Sequence, residues 1–91
     1  MKLYRYRGKA NLCGRQVRRL RVDLGLSQEQ LAARLQVAGL ALEQKAVSRI
    51  ETGSRVVADF ELMAPAAALN TSPLALLDED KSWPIGEASV L

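Results

Sequence analysis

Ninety-one residues, 48% hydrophobic by type but only 4% aromatic, make one small domain with a core of Leu, Val, Ile and Ala; strand formers are few, which favours a helical bundle over a sheet. With no His and a single Cys, an internal disulfide, a Cys/His zinc set and a Cys–His dyad are excluded. The net charge of +3 is unevenly divided: residues 1–55 carry twelve Lys/Arg against four Asp/Glu (+8) and residues 56–91 one against six (−5), so one surface suits a polyanion and another suits something else.

Residues 1–12 form an N-terminal arm in which Tyr4-Arg5-Tyr6-Arg7 alternates rings and cations before Gly8. It reads as a short strand laying both rings on the body, or as a basic arm reaching a minor groove or phosphates. Packing or disorder is favoured, and the arm is kept as an auxiliary contact. The first helix is expected from Cys13 or Gly14 to Leu24, with Val17, Leu20 and Leu24 as its apolar edge and Gly25 as the left-handed stop. Cys13 reads as a small, semi-buried apolar residue. Arg21 falls beside the apolar edge and needs a partner, for which Glu51 is the candidate; otherwise its head snorkels to solvent.

Ser27 and Gln30 have capping-box spacing at the start of a second helix, with Leu31, Ala32 and Leu35 on one face and Gly39 as its stop. Gln28 lies in the first turn, where its amide and nearby N–H groups can meet a phosphate. A third helical pattern has Val47 and Ile50 as its inward stripe. Gln44, Lys45, Ser48 and Arg49 fall away from that stripe, and an amide-and-cation face on a clamped helix is what reading a major groove requires.

After Gly53, Arg55 continues the loop as a further cation. Asp59 is expected to cap a fourth helix carrying Phe60, Leu62, Met63, Ala66 and Leu69, which Pro65 kinks or delays. Ser72-Pro73 opens a short fifth helix, with Leu74 and Leu77 closing the core. Residues 13–77 thus form the domain. Residues 78–91 read as an acidic, flexible tail, with Trp83, Ile85, Val90 and Leu91 as an alternative hook for a partner subunit.

From Gly14 to Leu77 the chain resembles the lambda repressor/Cro-type (xenobiotic-response-element-like) helix-turn-helix family. The matching words are Arg18-Arg19-Leu20-Arg21, Gly25-Leu26-Ser27-Gln28-Glu29-Gln30-Leu31-Ala32, Val47-Ser48-Arg49-Ile50-Glu51-Thr52-Gly53, Ala67-Ala68-Leu69-Asn70 and Ser72-Pro73-Leu74. The resemblance implies an all-α, five-helix bundle with its third helix in the major groove. It implies base contacts for Gln44, Lys45 and Arg49, a phosphate contact for Gln28, and a backbone or base-edge contact for Ser48. It further implies a buried ion pair between Arg21 and Glu51, and a dimer contact in the region from Leu74 to Leu77. Two departures stand out. The link between second and third helices is about five residues longer, through Val37-Ala38-Gly39-Leu40-Ala41, which should lengthen the second helix and loosen the turn. Glu43 occupies the cap position of the third helix, where a short hydroxyl or Asp is usual.

The leading expectation is a sequence-specific, double-stranded DNA-binding transcriptional regulator, a homodimeric repressor on an inverted-repeat operator. Gln28, Ser48 and Arg55 would hold phosphates. The alternative is an antitoxin or protein-interaction module whose acidic C-terminal part binds a small basic protein. An enzyme is disfavoured, with no glycine-rich phosphate loop and little chain for a pocket, and no cofactor or metal is expected. No apolar run approaches the ~20 residues of a membrane span and no signal-peptide core is present, so a cytoplasmic protein without membrane association is expected.

Overall fold

Local chemistry sets the helix boundaries in the computed structural model, which describes residues 5–77. The elements are α1 (Gly14–Asp23), α2 (Gln28–Val37), α3 (Gln44–Glu51), a 3₁₀ turn (Asp59–Leu62), α4 (Met63–Ala68) and α5 (Pro73–Leu77). Ser27 Oγ accepts from the Gln30 N–H while Gln30 Oε1 accepts from the Ser27 N–H, so the capping box starts α2 as its spacing predicts. The first four helices end alike. The residue after each C-cap is left-handed (Gly25, Gly39, Gly53 and Asn70), and its N–H and the next one fold back onto the last carbonyls.

α3 sits against α1 and α2, α4 packs on α2, and α5 closes the bundle against α1 and α4. Val17 of α1, Leu31 and Leu35 of α2, and Val47 and Ile50 of α3 meet in one core with Leu62, Leu69 and Leu76. The approach of α1 to α3 is close because Gly14 has no side chain: a Cβ there would collide with the Ile50 carbonyl oxygen. Asn11 exploits that proximity. Its Oδ1 accepts from the Gly14 N–H, and its Nδ2 donates to Ile50 O at 3.1 Å and Arg55 O at 2.7 Å. One amide thereby caps α1 and ties it to the end of α3.

Several expectations are corrected. α1 stops at Asp23, and Leu24 is 43% exposed because the chain turns at Gly25 before a further apolar position can point inward. Cys13 is fully buried rather than semi-buried. α2 does extend to Val37, but the longer link is not loose: Leu40 and Leu42 are partly buried against the core and tack it down. Asp59 does not cap the fourth helix, which starts without a side-chain cap; at the start of the 3₁₀ turn it is Glu61 that accepts from the Ala58 N–H, at 3.0 Å. A 3₁₀ turn precedes Pro65, so the proline falls in the first turn of α4, where its missing N–H breaks no helical hydrogen bond. Phe60 and Met63 point outward, since the tighter 3₁₀ turn rotates them off the core stripe. In α5 Leu76 closes the core, whereas Leu74 and Leu77 are exposed.

From Arg5 onward, the N-terminal segment is neither a strand nor a loose arm. Tyr6 and Lys9 pair across a tight turn, and the Ala10 N–H donates to Gly53 O at 2.7 Å, docking the turn beside the end of α3. Tyr4 and the tail bearing Trp83, Ile85, Val90 and Leu91 lie outside the described residues. Among the described residues, no helix is long and apolar enough to cross a membrane.

Candidate nucleic-acid interface

A helix can present polar groups to a partner only if something else holds it. Val47 and Ile50 anchor α3 in the core, with Val47 entirely buried. Helical spacing then sets Lys45, Ser48 and Arg49 on the opposite arc, with Gln44 at its N-terminal edge. Gln44, Lys45 and Arg49 are exposed and Ser48 is half-buried. At the far end, Thr52 Oγ1 donates to Ser48 O at 3.1 Å, closing the last turn. The Glu43 side chain makes no capping hydrogen bond, as its length predicts.

A chain of hydrogen bonds fixes the helix from both ends. Arg21 donates Nε to Glu51 Oε2 at 2.6 Å and Nη2 to Glu51 Oε1 at 3.1 Å, and its Nη1 reaches Leu26 O at 2.7 Å. The side chains of this pair are 12% and 2% exposed, so the charges meet in a largely dry setting. Hydrogen bonding to Glu51 raises the pKa of Arg21 against the desolvation that lowers it, so the guanidinium stays charged. Gln28 Nε2 donates to Glu51 Oε1 at 3.0 Å, and Gln28 Oε1 accepts from Gln44 Nε2 at 2.5 Å. The C-terminal end of α3 is thus linked through α2 back to its own first residue. Gln44 keeps its Oε1 and second N–H without intramolecular partners among the described residues.

The expected site residues separate into groups. Gln44, Lys45, Ser48 and Arg49 share one arc; Gln28, Arg21 and Glu51 form the scaffold beneath it. Gln28 therefore faces the protein more than the sequence predicts. Arg55 stands apart. Its Nη1 and Nη2 meet the two Glu61 oxygens at 3.3 Å each, and Nη1 donates to Val56 O at 2.9 Å. The expected open cation over a backbone is instead a partly buried ion pair, because Glu61 is within reach one turn along. Hydrogen bonding from Arg55 holds the Glu61 carboxyl below its ordinary pKa.

Sequence reasoning passed over Asn11 and Arg34. Asn11 stands three residues before Gly14, the separation over which an N-cap side chain reaches the N–H it accepts, and that was the available signal. Arg34 Nη1 donates to Ala68 O at 3.1 Å and so satisfies a carbonyl at the end of α4, a long-range contact with no local signature.

An anchored helix carrying an exposed amide-and-cation arc, preceded by a capped helix across a link held to the core by Leu40 and Leu42, defines a helix-turn-helix unit. The sequence model of the helix-turn-helix domain family matches residues 13–79, and the chain belongs to that family. No curated protein and no solved structure gives a match. Membership carries DNA binding as the general activity of the class.

Proposed function

We propose that the chain is a sequence-specific transcriptional regulator, a homodimeric repressor that reads an inverted-repeat operator in double-stranded DNA. The observation that supports this most is the pose of α3, with Gln44, Lys45 and Arg49 outward from a stripe buried at Val47 and Ile50. Gln28 engages one Nε2 hydrogen of Gln44, leaving an acceptor and a donor side by side. That is the pair adenine needs, since its N6 amino group donates and its N7 accepts. Lys45 and Arg49 supply donors for guanine O6 and N7.

Ser48 and Gln28 hold phosphates at the margins, Gln28 through the N–H groups at the start of α2 as much as through its committed side chain. Arg55 contributes least, because Glu61 already matches its charge. Dimerisation through α5 is favoured by Leu74, 76% exposed, and Leu77, 38% exposed, on a helix of five residues. A twofold axis there would set the two α3 helices about 34 Å apart, one turn of DNA.

The test is selection of bound duplexes from a random pool at fixed salt, with sedimentation of the protein alone. An enriched inverted repeat with half-sites one turn apart is expected. Leu74→Asp, at an exposed position, should leave the fold intact and give a monomer. Binding without any enriched sequence would overturn the specific-regulator reading, and a wild type monomeric on and off DNA would overturn the dimer.

A further inference from the structure

The Arg5-Tyr6-Arg7 run lies outside the α3 arc, yet its backbone is tightly specified. Tyr6 and Lys9 exchange both backbone hydrogen bonds at 2.9 Å, which makes Arg7 and Gly8 the central pair of a two-residue turn requiring positive φ at each. Gly8, at φ 79°, adopts this without steric penalty. Arg7, at φ 53°, does not: Asn, Asp and Gly tolerate that region, and an Arg there is held against its preference. Strain of this kind at a surface turn points to what the side chain does.

The turn is also fixed relative to α3. Ala10 donates to Gly53 O, the aliphatic stem of Lys9 lies where a Gly53 side chain would be, and Asn11 ties the next residues to Ile50 O and Arg55 O. Arg7 and Lys9 are exposed, and the Arg7 guanidinium sits 5.2 Å from the Tyr6 ring centroid, which narrows the directions it can take. Two cations are thus held at a constant place beside the end of the reading helix.

We infer that the Tyr6-to-Lys9 turn is a second, sequence-independent DNA contact, in which Arg7 and Lys9 hold backbone phosphates flanking the groove that α3 enters. The inference rests on the assignment of α3 proposed above. A helix lying in the major groove has sugar-phosphate backbone beyond its end, and cations placed there release counterions without reading bases. Because folding has already ordered the turn, binding does not have to.

The decisive variant is Arg7→Asn, because Asn suits the left-handed position: the turn keeps its shape while the cation disappears. Association of the full chain with a mixed-sequence duplex of about 20 base pairs is followed by anisotropy across a salt series. The variant should stay folded and melt close to the wild type. It should bind roughly eight-fold more weakly at about 0.1 M salt, with a slope of log K on log salt shallower by about 0.9 per protomer. Lys9→Gln should behave alike. Gly8→Val retains both charges and meets no neighbour, but strains the turn, so it should lose a comparable part of the affinity. An unchanged slope for Arg7→Asn, or wild-type binding by Gly8→Val, overturns the inference and leaves the α3 assignment standing. A wild type that binds no duplex at any salt overturns both.

Discussion

Replacing Glu51 by Ala removes the group on which the interface scaffold converges. The Glu51 side chain is 2% exposed and accepts from Arg21 at 2.6 and 3.1 Å and from Gln28 at 3.0 Å. Without it, Arg21 keeps only the Leu26 carbonyl at 2.7 Å and remains a nearly buried, unmatched cation. Stranding such a charge costs ~3–5 kcal/mol. For a domain of this size each kcal/mol lowers Tm by about 4–8 °C, so the expected fall is roughly 12–40 °C. Thermal and urea denaturation followed by far-UV circular dichroism measure it directly. The double variant Arg21→Met/Glu51→Leu should regain most of the loss, since apolar groups of similar volume replace a desolvated pair without penalty. It should not regain base discrimination, because Gln28 loses the acceptor that orients it toward Gln44. A Glu51→Ala effect below ~1 kcal/mol, or a double variant no more stable than the single one, would refute the reasoning.

Three further outcomes are expected. Gln44→Ala should weaken operator binding by ~1–3 kcal/mol and relax preference at one base position, with little effect on random DNA in the same gel-shift series. Glu61 has a folded pKa below its unfolded one, so its pair with Arg55 adds stability above the unfolded carboxylate value that is lost as pH falls through the lowered folded value. Glu61→Gln should therefore flatten the acid limb of urea-derived stability below about pH 5, and an unaltered limb would remove the pair from the account. Gly14→Ala gains up to ~1 kcal/mol in helix propensity, but its methyl would collide with a backbone oxygen already bonded by Asn11 and Gly53. A net destabilisation of ~1–3 kcal/mol is expected on denaturation, and a gain in stability would show the α1–α3 contact to be open.

Helix positions were legible in the chain because their signals are local. Ser27 and Gln30 state a capping box within four residues, Gly25 and Gly39 mark two stops, and Val47 with Ile50 marks an inward stripe. The Arg21–Glu51 pair was legible too, since a cation beside an apolar edge demands a partner. What failed depended on backbone rotation or on distance in the chain. Met63 lies three residues from both Phe60 and Ala66, an α-helical spacing, yet Pro65 drives the preceding turn to 3₁₀ and both side chains swing out. Leu74, Leu76 and Leu77 occupy a helix of five residues, too short for periodicity to tell which one faces inward. Arg55 read as an open cation because nothing in the sequence says that the 3₁₀ turn brings Glu61 back to it. The longer link read as loose because its tethers, Leu40 and Leu42, act through contacts across the core rather than through turn chemistry.

The central claim is that α3 meets DNA through the arc of Gln44, Lys45, Ser48 and Arg49. Backbone amide shifts recorded while a short duplex is titrated into the protein at low salt test it most directly. The account predicts perturbations concentrated along Gln44–Glu51 and at Gln28, with α4 and α5 quiet until dimerisation is altered. Perturbations confined to α4 and α5, or none along α3 at saturating duplex, would contradict it.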